Sequence, residues 1–273
     1  MTKISENFLP TSSPGKRIRS SRLFDPADDN TFILPMDHSI TNGPLGPTEK
    51  IQRLIETAAG NGVDAVVLHK GRVRSLGAEH LTRVSLIMHL SASTMHAPDS
   101  DSKCLVSSVE EAARMGADAV SVHVNLGSAD ERRQVADLAA VADASDRWGM
   151  PLLAMVYPRG PEIAEPRAPE LVAHAATVAA DLGADIVKTH YTGDAASMAD
   201  VVRSCPIPVI VAGGPRRTTL HDLDEFVSEA MLSGVRGVAM GRNVFDSEDP
   251  GAAARVVAGR VHPQSRRLTP TPT

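Results

Sequence analysis

The stretch Gly183-Ala184-Asp185-Ile186-Val187-Lys188-Thr189-His190-Tyr191-Thr192-Gly193 holds the pattern from which the rest of the chain can be read. Its first glycine marks a helix end, where a left-handed residue closes the last turn. A short apolar run follows and reads as a strand buried on both faces, as in a parallel sheet. The run carries Lys188 and gives way to a polar turn ending in Gly193. The same opening recurs as Gly62-Val63-Asp64-Ala65-Val66 and Gly116-Ala117-Asp118-Ala119-Val120, with Gly234-Val235-Arg236-Gly237-Val238 as a looser copy. A phrase that ends a helix and starts a buried strand, repeated along a chain, predicts alternating β and α elements.

Working outward, strands are expected at 32–36, 65–69, 84–90, 119–124, 152–156, 185–188, 209–212 and 237–240. Between them, apolar residues recur at three and four, as at 47–60, 129–148, 168–182 and 220–232, and predict helices. Eight such units imply an α/β fold, a (β/α)8 TIM barrel over residues 31–261. The runner-up is an open doubly wound sheet, which is weaker because no glycine-rich dinucleotide turn follows the first strand. Residues 1–30 are polar and broken by Pro10, Pro14, Gly15 and Pro26. They read as an extended N-terminal arm, with a short strand or hairpin at Gly15–Arg19 as the alternative. Residues 262–273 read as a flexible tail.

Composition narrows the class. With 42% apolar residues in 273, the chain can form one large core or two ordinary domains. No run reaches the ~18 apolar residues of a membrane span, and the polar start is not a signal peptide. The two cysteines, Cys104 and Cys205, are too few for a disulfide framework and read as reduced thiols of a cytoplasmic protein. A net charge of -5 argues against a nucleic-acid partner.

Barrel enzymes place their chemistry at the carboxyl ends of the strands. Lys188 is one of only six lysines, and an ammonium inside a buried strand is costly, which favours the neutral amine. A neutral, enclosed amine can attack a carbonyl and form a Schiff base. That chemistry needs proton transfer at the carbinolamine and at the carbon beside the iminium; Asp37 and Tyr157, at ends of strands one and five, are the candidates. Gly213-Gly214 and Gly241-Arg242, after strands seven and eight, suit a phosphate: glycines let backbone N–H groups approach an anion, and a following helix start adds a favourable dipole. His38, His69, His123 and His190 also stand at strand ends, but their spacings match no compact zinc motif, so they read as lining groups and no metal is assigned.

Pro35-Met36-Asp37-His38, His69-Lys70-Gly71, Tyr157-Pro158-Arg159-Gly160, Val187-Lys188-Thr189-His190, Ala212-Gly213-Gly214-Pro215 and Gly241-Arg242-Asn243 together resemble the archaeal-type class I aldolases. The likeness runs over nearly the whole chain, with the motifs in family order, and is nearest to the amino-dideoxy-heptulosonate synthases and their secondary-metabolism branch. The resemblance implies Lys188 as the Schiff-base residue, with Asp37 and Tyr157 moving protons. It implies a phosphate cradle at Gly213, Gly214, Gly241 and Arg242, and substrate contacts at His38, Lys70, Arg159 and His190. It also implies no metal or other cofactor and a homo-oligomer, in the ring-based form a decamer. The implied partners are small molecules: a phosphorylated ketose or triose and an aldehyde, with aspartate semialdehyde and dihydroxyacetone phosphate as the leading pair. A sugar-bisphosphate aldolase, a thiolase-type acyltransferase and a non-catalytic sugar-phosphate binder are the rivals.

Overall fold

The computed structural model describes residues 13–264. Eight parallel strands close into a barrel: β1 Thr31–Pro35, β2 Ala65–Leu68, β3 Ser85–His89, β4 Ala119–Leu126, β5 Leu152–Pro158, β6 Ile186–Thr189, β7 Val209–Ala212 and β8 Gly237–Ala239. They neighbour one another in chain order, and β8 returns to β1. The main helices are α1 Pro14–Leu23, α2 Thr48–Ala59, α3 Lys70–Ser75, α4 Val109–Arg114, α5 Glu131–Trp148, α6 Pro169–Asp181, α7 Ala195–Ser204, α8 Leu220–Leu232 and α9 Pro250–Val261. The expected TIM barrel is thus the architecture observed, and the open sheet is excluded by the pairing of Thr31 with Gly237 and Ile33 with Ala239. Gly237 makes that seam possible. Its φ is +147°, and a Cβ there would lie 1.9 Å from the Thr31 carbonyl oxygen.

The repeated phrase builds the barrel floor. Gly62, Gly116, Gly183 and Gly234 have φ of 87, 79, 88 and 84°, a left-handed conformation that glycine adopts without a Cβ clash. The aspartates have a role that the sequence pattern alone did not disclose. Each accepts a backbone N–H near the start of the preceding strand: Phe32 N donates to Asp64 at 2.6 Å, Leu86 N to Asp118 at 3.0 Å and Leu152 N to Asp185 at 2.8 Å. Each also meets a cation from a terminal segment. Lys16 Nζ is 2.9 Å from Asp185, Arg22 Nη1 3.0 Å from Asp118 and His262 Nε2 3.0 Å from Asp64.

Those pairs correct two expectations. The arm is not extended over its described part: it forms α1, with Ser13 accepting from Lys16 N at the cap and Pro14 in the first turn. Leu23 and Phe24 at its end pack beneath Ile33, Ala65 and Leu153 and plug the interior. Residues 1–12 lie outside the described residues. His262, read as the start of a flexible tail, is 5% exposed and bonded to Asp28 and Asp64; residues 265–273 lie outside the described residues. A third feature was not anticipated: Ser91–Ala92 and Cys104–Leu105 form a small antiparallel pair beyond β3.

Alternate strand residues face opposite sides. Phe32, Leu34, Val66 and Leu68 face the helices, whereas Ile33, Val67, Ile87, Leu153, Met155 and Ile186 fill the interior. This alternation decides which polar residues reach the barrel mouth.

Candidate active site

Continuing the inward phase past the apolar layer gives Asp37, His69, His89, His123, Tyr157, Lys188 and His190. Five of these, Asp37, His123, Tyr157, Lys188 and His190, line a cavity of about 450 Å³ at the carboxyl ends of the strands. Lys188 is 7% exposed. Its Nζ is 3.9 Å from the Met155 sulfur, and among the described residues no carboxylate lies within 4.0 Å of it.

Asp37 approaches two imidazoles, with Oδ1 3.9 Å from His38 Nδ1 and Oδ2 3.9 Å from His89 Nε2. Burial works against its ionisation. The charges that His38, His89, Lys188 and His69 can carry outweigh this and hold its carboxyl well below the usual range. Its Oδ1 is buried without a hydrogen-bond partner among the described residues, so an acceptor stands ready for a ligand. Tyr157 is buried between two imidazoles, its ring centroid 5.0 Å from His123 and 4.7 Å from His190. The guanidinium of Arg159 lies 5.6 Å above its ring.

The histidines are neutral near pH 7. Burial lowers His190 to about 4, assisted by the charges of Arg159, Arg167 and Lys188. Burial likewise lowers His89 to about 4 although Asp37 opposes it, and burial, with Lys103 nearby, pushes His123 well below its ordinary value. Among the described residues no three His, Cys, Asp or Glu side chains converge as a metal site.

Across the cavity, Gly213, Gly214, Gly241 and Arg242 form one wall. Asn243 fixes it: its Nδ2 donates to the carbonyls of Gly213 at 3.1 Å and Pro215 at 3.2 Å, and its Oδ1 accepts from Arg217 N at 2.7 Å. Gly214 has φ +65°, and a Cβ there would meet nothing within 4 Å. Its backbone is therefore open to a ligand. The expected helix-dipole contribution is corrected: the helix after Gly241, Arg242–Phe245, is only 4 residues long, and α8 starts at Leu220. A helix of that length carries only a small dipole, so the backbone N–H groups and Arg242 are the main groups this wall offers an anion.

Residues 31–247 match the DeoC/LacD family aldolase model. The chain belongs to the DeoC/LacD aldolase family. This aldolase is 54% identical over 260 residues, 95% of each chain, to a Streptomyces griseus protein named 2-amino-4,5-dihydroxy-6-oxo-7-(phosphonooxy)heptanoate synthase. It is 43% identical, over 91% of each chain, to 2-amino-3,7-dideoxy-D-threo-hept-6-ulosonate synthase 1 of Archaeoglobus fulgidus. A solved archaeal fructose-1,6-bisphosphate aldolase, whose catalytic lysine is covalently bound to the carbinolamine intermediate of its substrate, is 32% identical. It superposes with a TM-score of 0.80 over 90% of this chain and 98% of its own.

Of the residues singled out in the sequence, the barrel gathers Asp37, His38, Tyr157, Arg159, Lys188, His190, Gly213, Gly214, Gly241 and Arg242 around one cavity. Lys70 is the correction. It lies one residue out of the inward phase, opens α3, and its Nζ pairs with Glu111 Oε2 at 3.0 Å. The sequence reading passed over His89, Lys103 and Arg167. His89 shares the inward phase of Ile87, a signal present in the sequence. Lys103 and Arg167 come from loops whose course no local pattern reveals.

Proposed function

We propose that this aldolase joins aspartate semialdehyde to dihydroxyacetone phosphate through a Schiff base on Lys188, giving 2-amino-4,5-dihydroxy-6-oxo-7-(phosphonooxy)heptanoate. The observation that carries the lysine assignment is the position of Lys188: buried, with no carboxylate within 4.0 Å among the described residues, and facing a cavity walled by Gly213, Gly214, Gly241 and Arg242. The substrate pair is supported by the 54% identical relative, whose product name divides into an amino-acid end of four carbons and a triose phosphate end of three. The joining is an addition, with no carbon lost.

In this reading the phosphate rests against the glycine wall, which fixes the ketone carbon beside Lys188 Nζ and lowers the entropic barrier. The amine adds to the carbonyl. Tyr157 supplies the proton that lets the carbinolamine oxygen leave as water. Asp37, held firmly ionised, stabilises the iminium charge rather than acting as a strong base. Tyr157, left as the phenolate by that transfer, takes a proton from the hydroxymethyl carbon to give the enamine. That carbon then bonds to the aldehyde carbon, and the aldehyde oxygen takes the proton back from Tyr157. Water hydrolyses the new iminium and returns the free amine. Neutral His123 and His190 keep Tyr157 in place without adding positive charge beside the forming iminium.

The test is borohydride reduction in the presence of dihydroxyacetone phosphate, followed by peptide mapping, and mass spectrometry of the product formed with aspartate semialdehyde. A stable adduct on the Lys188 peptide and a seven-carbon product are expected. An adduct on another lysine, or no adduct in an enzyme that turns over, overturns the assignment. A homo-oligomer, decameric in its ring-based form, belongs to the same reading and is checked by sedimentation analysis. Among the described residues no helix is long and apolar enough to cross a membrane.

A further inference from the structure

Lys103 is a buried cation that the lysine chemistry does not use. It is 6% exposed and sits between the two short strands beyond β3, immediately before Cys104–Leu105. Its Nζ donates to Ser93 Oγ at 2.5 Å and to the Ser100 carbonyl at 3.1 Å. An ammonium has three donors, so one remains, and Lys103 lines the reaction cavity. Among the described residues no carboxylate lies within 4.0 Å of its Nζ. A buried charge without a counter-ion is costly, and here burial lowers the lysine from its ordinary value, with Asp101 opposing and Arg159 adding to the effect. Arg159 lines the same cavity, and among the described residues the one carboxylate within 4.0 Å of it is Asp101, at 3.7 Å.

The position of this pair follows from the barrel. The phosphate wall comes from the loops after β7 and β8. In a closed ring of eight strands, β3 stands opposite β7, and the segment carrying Lys103 follows β3. Lys188 and Tyr157, on β6 and β5, lie on the arc between. A product whose ketone carbon is bonded to Lys188 and whose phosphate is on the β7–β8 wall has its growing end directed away from that wall. That end bears a carboxylate at the far terminus of the seven-carbon chain.

We propose that Lys103, with Arg159 beside it, forms a second anion subsite that binds the α-carboxylate of the acceptor aldehyde and selects carboxylate-bearing aldehydes. The inference rests on the substrate pair proposed above. The mobile partner is thus gripped at its charged end, so that its carbonyl carbon meets the enamine face. Ser93 and the Ser100 carbonyl hold the ammonium in place; they are positioning groups, not contacts to substrate.

The experiment compares aspartate semialdehyde, succinic semialdehyde and propanal as acceptors, with dihydroxyacetone phosphate as donor, in the wild-type enzyme and in Lys103→Gln and Lys103→Arg. A charged hydrogen bond lost from a carboxylate corresponds to about 10- to 100-fold in affinity. The expected result is a KM rise of that order for both carboxylate-bearing aldehydes in Lys103→Gln. Propanal turnover should change by less than about 3-fold, and Lys103→Arg should recover most of the loss. Borohydride trapping of dihydroxyacetone phosphate in Lys103→Gln serves as the check that the barrel is intact. An equal loss on all three acceptors, or no loss on any, overturns the subsite while leaving the proposed reaction standing. A wild-type enzyme that traps the donor but never condenses aspartate semialdehyde overturns the reaction and the subsite together.

Discussion

His262 Nε2 lies 3.0 Å from Asp64 Oδ2, tying the residue that ends α9 to the turn that starts β2. Its Nδ1 faces Asp28 at 3.3 Å. Burial alone would lower the imidazole, but the bonds to Asp28 and Asp64 raise it to about 10. A group raised in the folded state contributes stability that is fully present below its unfolded value, about 6.5, and is lost as pH rises through the folded one. Burial also raises Asp64, but that shift acts at the acid end and leaves the alkaline limb alone. Denaturant titrations of the wild type should therefore show stability falling between pH 7 and pH 10, and His262→Gln should flatten that limb. Equal slopes in the two proteins would contradict the linkage.

The Lys16–Asp185 pair serves the same floor from the other terminus, with both side chains almost fully buried. Burial lowers Lys16, but Asp185 and Asp146 together raise it above the ordinary lysine value. Replacing Lys16 by Met leaves Asp185 buried without its counter-ion, which costs about 3–5 kcal/mol. The Arg22–Asp118 pair has an arginine side chain that is 61% exposed, so Arg22→Ala should cost no more than about 1 kcal/mol. Chemical denaturation of both variants checks the contrast; comparable losses would mean that burial is not what separates the two pairs.

The barrel could be read in the sequence because its signals are local: glycine-closed helices, short apolar strands and the helical recurrence between them. The site was legible where strand parity continued past the core, as at Tyr157 and Lys188, both in phase with Leu153 and Ile186. Lys70 was misread because a lysine next to a strand end looks like a lining group until its phase is counted, and one residue sends it to Glu111. The N-terminal helix and His262 escaped because polar composition resembles a solvated arm. Their burial depends on Asp185 and Asp64, more than 160 residues away in the chain. Lys103 escaped because the turn that buries it pairs Ser91 with Leu105 through an irregular loop.

The imidazoles of the mouth set the pH profile. His89 and His190 are pushed down to about 4, and His123 lies well below its ordinary value. Groups lowered in this way stay neutral until the pH falls towards their folded values. The plot of kcat against pH should therefore carry no inflection near 6.5 and should decline only towards pH 4–5. An acid limb centred near 6.5 would mean that one of these rings is charged in the working enzyme.

The glycine wall has two different requirements. At Gly241 a Cβ would stand 2.7 Å from the Pro35 carbonyl oxygen and 2.9 Å from the Phe245 ring, so Gly241→Ala must displace β1 or the turn after β8. At Gly214 no atom is in the way, and the barrier to a side chain is the φ of +65° together with the cavity it borders. Gly214→Ala should raise the KM for dihydroxyacetone phosphate by about 10-fold or more, the loss expected of one or two charged hydrogen bonds. Its stability should drop by only about 1–2 kcal/mol, the cost of a left-handed alanine. Gly241→Ala should lower both donor affinity and melting temperature. Steady-state kinetics on each variant, alongside thermal melts, separates the two; a Gly214→Ala enzyme with unchanged donor KM would remove that loop from the phosphate site.

Tyr157→Phe isolates the proton from the ring. The phenol ring packs against His123 and His190 and lies under Arg159. Phenylalanine keeps each of those contacts and removes only the hydroxyl. If Tyr157 protonates the departing carbinolamine oxygen, the variant should bind dihydroxyacetone phosphate with near-normal affinity but form the iminium slowly. General acid catalysis typically contributes about 10²- to 10⁴-fold, so kcat should fall by that order with KM for the donor little changed. The loss should appear before the carbon–carbon bond forms: rapid-quench borohydride trapping should show slow growth of the reducible adduct on Lys188. The carbinolamine, which borohydride does not reduce, should accumulate as an intact adduct in the mass spectrum of the unreduced protein. Normal iminium formation with slow product release would instead move the role of Tyr157 to the later steps, the addition to the aldehyde or the final hydrolysis.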